Sequence, residues 1–310
     1  MTRAEAPAHP PAIRAALAGA IDYAGLFPPA ALPMAEAIVN YSEYRRSPDA
    51  WALGRFIVPA GRLAEVTRIL SERPELSDRW VGARLSATIT ADLRIEADLR
   101  PEVAAIERFN LEWRGRSIVV DAVEAKVVDA ASIDRLRSAL APSITGYGEV
   151  PWGPGQEGLV ARLARNRLAA KLRMGGVSPA LFPSPDDVAR ALLAIVRWKV
   201  PFKATAGLHH PLRGEYRLTE EPGSPRAPMF GSLNLILGSL LALDGMEPEL
   251  IERALVESDP TSFTMDRDGL GWRDHRFAPD TVARLRGCFR GFGSCSFREP
   301  MDELLPVLGR

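Results

Sequence analysis

The chain has 310 residues with 39 basic and 39 acidic side chains. A formal net charge of zero gives no field to steer it toward nucleic acid or an anionic membrane, so a small molecule is the expected partner. Hydrophobic residues make up 46%, enough for a large core, yet no apolar run reaches the roughly 18 residues that a membrane helix needs. The opening MTRAEAPAHPPAIRAAL has neither an apolar signal-peptide core nor a small-residue cleavage site. The two cysteines, Cys288 and Cys295, lack zinc-type spacing and are too few for a disulfide framework. The expected location is the cytoplasm, with both thiols reduced.

In chain order, short apolar runs alternate with amphipathic stretches of helical length, the pattern of βα units around a parallel sheet. GAIDYAG, GRFIVP, VGARLSATI, SIVVDAVEAKV, ITGYGEV, RLAAKLRM and VPFKATAG read as successive strands. PMAEAIVNYSEYRR, AGRLAEVTRILSE, PEVAAIERF, DAASIDRLRSAL, QEGLVARLARN and PSPDDVARALLAIVRW read as the intervening helices. The last has a clear start, Ser184 and Pro185 followed by Asp186 and Asp187 in the first turn. Seven such units in about 210 residues, with no dinucleotide-type glycine loop after the first strand, favour an α/β fold of the closed (β/α)8 TIM-barrel kind.

The whole chain, 1–310, is expected to be one barrel domain with an irregular C-terminal third that must supply the eighth strand. That third contains a Pro/Glu/Arg-rich insertion, 211–228, expected as a loop near the C-terminal face of the barrel. An apolar helix, 229–243, follows; it could cover the barrel or build a homodimer face. A second helix, 248–258, and SFTMDRDGLGWRDHRF, a strand or hairpin candidate, complete it. MDRDGLGWRDH lacks the closing glutamate of an EF-hand loop and reads as a turn.

Barrel enzymes work at the C-terminal ends of their strands, so the polar residues there are the candidates. They are Asp22; Asp121, Glu124 and Lys126; Glu149; Lys171 and Arg173; and Lys203, Thr205, His209 and His210. Alternation places Lys171 with Arg173 on one strand face and Lys203 with Thr205 on another. If those faces point inward, three cations share a confined space, and repulsion with desolvation would depress a lysine pKa and free an amine for nucleophilic attack. The plainer alternative is a strand-edge lysine paired with Glu149 or Asp121.

Several ordered segments resemble the deoxyribose-phosphate aldolases and their class I relatives. IDYAGLFPPAALPMAEA is similar to the opening strand and loop of that family, and GRFIVPAGRLAEV to its second strand. AKLRMGG occupies the place of its Schiff-base lysine strand, FKATAGLHH that of the following strand, and FPSPDDVARALLAIV fits the helix between. The resemblance implies an imine-forming Lys171, with Lys203 as the auxiliary cation that lowers its pKa and Asp22 and Asp121 as carboxylates of a proton relay. It implies no cofactor. The chain departs from the family at Tyr23, at Leu172 and Arg173, at the two histidines and in the 211–228 insertion. Arg173 suggests a carboxylate or phosphate held by a guanidinium fork.

GFGSCSF, 291–297, reads as a Gly/Ser-rich turn whose Gly293, Ser294 and Ser296 could cradle an anion, or as an ordinary turn before the terminal helix. Cys295 has no histidine nearby in sequence and reads as a passive small residue. His209 or His210 could act as an acid, a base or an anion donor, Glu149 could act as a base, and either histidine could join carboxylates around a metal. Three readings follow. The chain is an aldolase-like lyase acting on a small anionic carbonyl compound through Lys171, a metal-dependent barrel enzyme, or a non-catalytic anion-binding barrel.

Overall fold

The computed structural model describes residues 10–219 and 221–308. Each predicted strand forms, and of the polar residues expected at strand ends Lys126, Glu149, Arg173 and Thr205 are the last residues of theirs, whereas Asp121 lies in the first half of its strand. The chain runs α1 (Pro11–Leu17), β1 (Ile21–Tyr23), α2 (Met34–Tyr44), β2 (Leu53–Pro59), α3 (Leu63–Glu72), α4 (Pro74–Trp80), β3 (Arg84–Thr88), α5 (Glu96–Trp113) and β4 (Val119–Lys126). It continues through α6 (Ala130–Ala139), β5 (Thr145–Glu149), α7 (Gln156–Arg165), β6 (Ala169–Arg173), α8 (Pro185–Trp198) and β7 (Phe202–Thr205). The last third holds β8 (Gly214–Arg217), β9 (Arg226–Met229), α9 (Ser232–Leu243), α10 (Pro248–Val256), β10 (Phe263–Asp266), β11 (Gly269–Trp272), β12 (His275–Phe277), α11 (Pro279–Leu285), β13 (Phe289–Ser294) and α12 (Arg298–Leu308).

Strands β1 to β7 and β13 close into a parallel barrel in the order β1-β13-β7-β6-β5-β4-β3-β2, so the fold is a (β/α)8 TIM barrel. Local signals account for the helix ends. Ser184 Oγ accepts from the Asp187 N–H at the start of α8, where Pro185 occupies the first turn. Asp129 and Ser132 form a reciprocal capping box on α6.

The last third differs from expectation in three places. The eighth strand is β13, so the GFGS of the supposed turn is barrel wall, with the Phe292 N–H donating to the Ala20 carbonyl at 2.8 Å. Its glycines serve this closure: a Cβ on Gly291, whose φ is +148°, would lie 2.1 Å from the Ala20 oxygen. The 211–228 insertion is no open loop but carries the β8–β9 hairpin, whose Leu218, Ala227 and Met229 pack with Phe182 from the β6–α8 connection. The SFTMDRDGLGWRDHRF segment is a three-stranded antiparallel sheet, β10-β11-β12.

The apolar helix is α9, and every residue from Ser232 to Ala242 is buried, against α8, α10 and α11. Of the two parts expected for it, the helix takes the covering one within the chain. Among the described residues, no helix is long and apolar enough to cross a membrane.

The closure argument predicts that Gly291→Ala destabilises the protein by on the order of 3 kcal/mol, as overpacking against backbone does. Gly158→Ala, in α7 with open space around its Cβ, should stabilise by about 0.5–1 kcal/mol. Urea unfolding of both variants measures the contrast; equal effects would contradict it.

Candidate active site

Strand register sets the site. Glu149, Lys171 and Lys203 are Cα partners across β5, β6 and β7 and stand abreast on the barrel wall. Below them Ala122, Tyr147 and Ala169 fill the barrel centre, and Lys203 Nζ sits 5.5 Å from the Tyr147 ring centroid.

The inward-pointing charges form one alternating series. Lys203 Nζ donates to Asp22 Oδ2 at 2.5 Å and to Glu124 Oε1 at 2.7 Å. Lys171 Nζ lies 2.9 Å from Glu124 Oε2 and 2.9 Å from Glu149 Oε2. The first of these is an ion-pair distance without hydrogen-bond alignment, because Glu124 Oε2 has no hydrogen-bond partner. Arg173 Nε donates to Glu149 Oε1 at 2.9 Å and ends the series. Ser86 Oγ donates to Glu124 Oε1 at 2.7 Å, and the Arg55 N–H donates to Asp22 Oδ1 at 2.6 Å. Only glycine at position 54 leaves room for that last contact, since a Cβ there would meet Asp22 Oδ1 at 2.3 Å.

Three carboxylates therefore interleave with three cations, and the expected crowd of unopposed positive charge is absent. Burial alone would lower the Lys203 pKa, but Asp22 and Glu124 outweigh it and hold the ammonium above its ordinary range. Burial likewise opposes the Glu124 carboxylate, yet Lys203 and Lys171 keep it well below the usual range. Glu149 is lowered against its own burial by Lys171 and by the hydrogen bond from Arg173.

A cavity of about 490 Å³ opens at the C-terminal ends of the strands. Lys171, Glu124 and Glu149 lie at its polar side, Lys126 and Arg173 add positive charge, and Phe27, Ile57, Ile89 and Leu181 make an apolar wall. Lys203, 2% exposed, does not reach it. Thr205 does, and its buried Oγ1 has no hydrogen-bond partner in the protein, which leaves it for a ligand. Glu102 secures one side by accepting from the N–H groups of Thr90 and Ala91.

Of the residues expected from sequence, the structure brings together Asp22, Glu149, Lys171, Arg173, Lys203, Thr205, His209 and Gly293. It places others elsewhere. Asp121 belongs to no relay with the lysines: it accepts from Arg55 Nε at 2.6 Å and also pairs with Arg84, in the N-terminal half of β4. Ser294 is paired in register with Tyr23, whose ring packs among Tyr41, Tyr44 and Phe56 outside the barrel. Ser296 Oγ accepts from the Glu299 N–H and caps α12. The supposed anion cradle thus reduces to Gly293 at the cavity wall. His210 lies beside the cavity, its ring stacked on Tyr216 at 3.5 Å and its Nδ1 2.8 Å from Glu303 Oε2.

Two participants take larger parts than the sequence reading assigned them. Glu124, one polar strand-end residue among several, is the central carboxylate. Cys295 does have a histidine, brought by the fold: its Sγ is 3.6 Å from His209 Nδ1, which also lies 3.3 Å from Glu299 Oε2. Burial disfavours the His209 charge, but the contacts with Cys295 and Glu299 prevail and push its pKa up to about 10.

No protein-family model matches the chain, and no curated protein matches it. The site is accordingly read from its own geometry.

The network's pH dependence follows from the shifts. Glu124 and Glu149, held below their ordinary 4.5, contribute stability that is complete above that pH and fades as pH falls through the lowered values. Lys203, held above 10.5, contributes stability complete below that pH and lost as pH rises through the raised value. Lys203→Met should cost about 3–5 kcal/mol at pH 8 by removing the ammonium that Asp22 and Glu124 share. The penalty should shrink toward pH 5, because in the variant burial is no longer opposed by Lys203 and raises the proton affinity of Glu124. Urea titrations at both pH values test this, and a penalty independent of pH would refute it.

Proposed function

We propose that the protein is an aldolase-like lyase that joins or cleaves a small anionic carbonyl compound through an imine on Lys171. The observation that carries the reading is the position of Lys171 Nζ, at the cavity and 2.9 Å from Glu124, which stays ionised, and from Glu149, which can take and return its proton. The four lysines of this chain, against 35 arginines among its 39 basic residues, are Lys126, Lys171, Lys199 and Lys203. Three of the four stand on barrel strands. A guanidinium would pair with these carboxylates at least as well, so retention of primary amines inside the barrel favours chemistry that only an amine performs.

The substrate enters with its short apolar portion on Phe27, Ile57, Ile89 and Leu181 and its carboxylate or phosphate toward Arg173 and Lys126. As the anion draws Arg173 away from Glu149 Oε1, Glu149 loses a stabilising hydrogen bond and its proton affinity rises. It then takes a proton from the Lys171 ammonium. The neutral amine adds to the carbonyl carbon, and loss of water, with the proton returned by Glu149, leaves the iminium. Its positive charge accepts the electron pair of the breaking carbon–carbon bond while the departing carbon's hydroxyl yields its proton to Glu149 and becomes a carbonyl; protonation of the resulting enamine carbon and addition of water then release the second product and free Lys171. Lys203, locked between Asp22 and Glu124, keeps Glu124 ionised beneath the reacting nitrogen and gives that electrostatic environment a fixed geometry. Lys203 is thus a positioning residue, and its role differs from the pKa-lowering cation implied by the family resemblance.

Borohydride reduction in the presence of a panel of small keto acids and aldehydes, followed by peptide mass analysis, tests the reading. A single adduct on Lys171 is expected, abolished in Lys171→Met and formed about tenfold or more slowly in Lys203→Met. Exposed Lys199 serves as the internal measure of nonspecific labelling. Adducts spread equally over Lys126, Lys171 and Lys199 would overturn it.

A further inference from the structure

We propose that His209, Cys295 and Glu299 form a binding site for one zinc-type divalent transition-metal ion at the rim of the barrel mouth. The site comes from three separate elements: the connection after β7, the residue following β13 and the first turn of α12. It stands independently of imine chemistry at Lys171.

The geometry carries the inference. His209 Nδ1 lies 3.6 Å from Cys295 Sγ and 3.3 Å from Glu299 Oε2, and all three donor atoms fall within 4.8 Å of one another. A tetrahedral ion with bonds of about 2.0–2.1 Å to nitrogen and oxygen and about 2.3 Å to sulfur separates its ligands by about 3.3–3.6 Å. Two edges of such a tetrahedron are therefore already in place. Hydrogen bonding alone accounts for the cluster less well, because Nδ1 either donates its one proton to Glu299 or accepts one from the Cys295 thiol, and cannot do both. An ion in place of that proton would engage all three atoms at once.

The donor set selects the metal class. Thiolate, imidazole and carboxylate together suit zinc, cobalt or ferrous iron and disfavour magnesium and calcium, which prefer oxygen alone. A thiolate and a carboxylate also balance the double charge. His209 and Cys295 both line the cavity, so the fourth coordination position opens onto it. Three protein ligands with one open position is the pattern of sites that bind a substrate oxygen or water, whereas purely structural sites are closed.

The surroundings hold the ligands in place. Glu299 presents its second oxygen, Oε1, at 4.0 Å from His210 Nε2, and His210 is itself fixed by Glu303 and by stacking on Tyr216. Ser296 Oγ accepts from the Glu299 N–H and fixes the turn that aims the carboxylate. The tandem histidines and the Ser-Cys-Ser segment thereby acquire distinct parts, one histidine binding and the next orienting the carboxylate that binds beside it.

Cobalt and zinc titration of the full-length, reduced and chelator-stripped protein tests the site. One Co²⁺ per chain should bind with a thiolate-to-cobalt charge-transfer absorption, and one equivalent of Zn²⁺ should displace it. Cys295→Ser should lose the band, while Cys288→Ser should retain it. His209→Gln and Glu299→Gln should weaken Zn²⁺ binding by about a hundredfold or more, with circular dichroism verifying that each variant is folded. Substoichiometric Co²⁺ binding by the wild-type chain, or a band that survives Cys295→Ser, would overturn the proposal.

Discussion

Glu124 is the constraint on which the barrel interior depends. A carboxylate that is 2% exposed at the centre of a barrel cannot remain ionised without partners, and two lysines and a serine supply them. Each partner then needs its own compensation. Lys203 requires Asp22, Asp22 takes the Arg55 N–H that Gly54 leaves accessible, Lys171 requires Glu149, and Glu149 takes Arg173. Burial of one acidic side chain thus propagates through seven strands, β1 to β7, to the cavity. The order of the series divides the two lysines: Lys203 ends in the interior between two carboxylates, and Lys171 ends at the cavity.

Much of the barrel was legible because its signals are local. Strands of strong apolar character separated by amphipathic helices, and the Ser184–Pro185–Asp186–Asp187 start of α8, need no tertiary information to read. The eighth strand was not legible, since RGFGS contains two glycines and little β-branched bulk. Those glycines look like a turn in sequence and are present because the closing strand passes tightly against Ala20. Similarly, 229–243 is apolar enough for either a dimer face or a covering helix, and only packing against α8, α10 and α11 decides between them.

The candidate site was legible in its lysines and only partly in its carboxylates. Asp121 and Glu124 lie three residues apart on β4, and the ladder between β3 and β4 shifts register between Leu85 and Ser86. Alternation sets two residues three apart on opposite faces, and the choice of Asp121 came from the family resemblance; here it pairs with Arg55 and Arg84, and Glu124 takes the inward place. The meeting of His209 with Cys295 carried no sequence signal at all, since they stand 86 positions apart. It exists because β13 closes the barrel beside β7 and sets their C-terminal ends together. Residues that meet only through barrel closure are what a linear reading must miss.

The central claim is that the amine of Lys171 forms an imine, and exchange of carbonyl oxygen measures that step without any reductant. Each cycle of imine formation and hydrolysis releases the original carbonyl oxygen as water and takes up a new one from solvent. In ¹⁸O-labelled water, wild-type protein should accelerate exchange into an accepted keto acid or aldehyde above its spontaneous hydration rate, and Lys199→Met should match it. Lys171→Met should fall to the spontaneous rate. Exchange that remains fast in Lys171→Met, or no acceleration by the wild-type protein with any member of the carbonyl panel, would contradict the account.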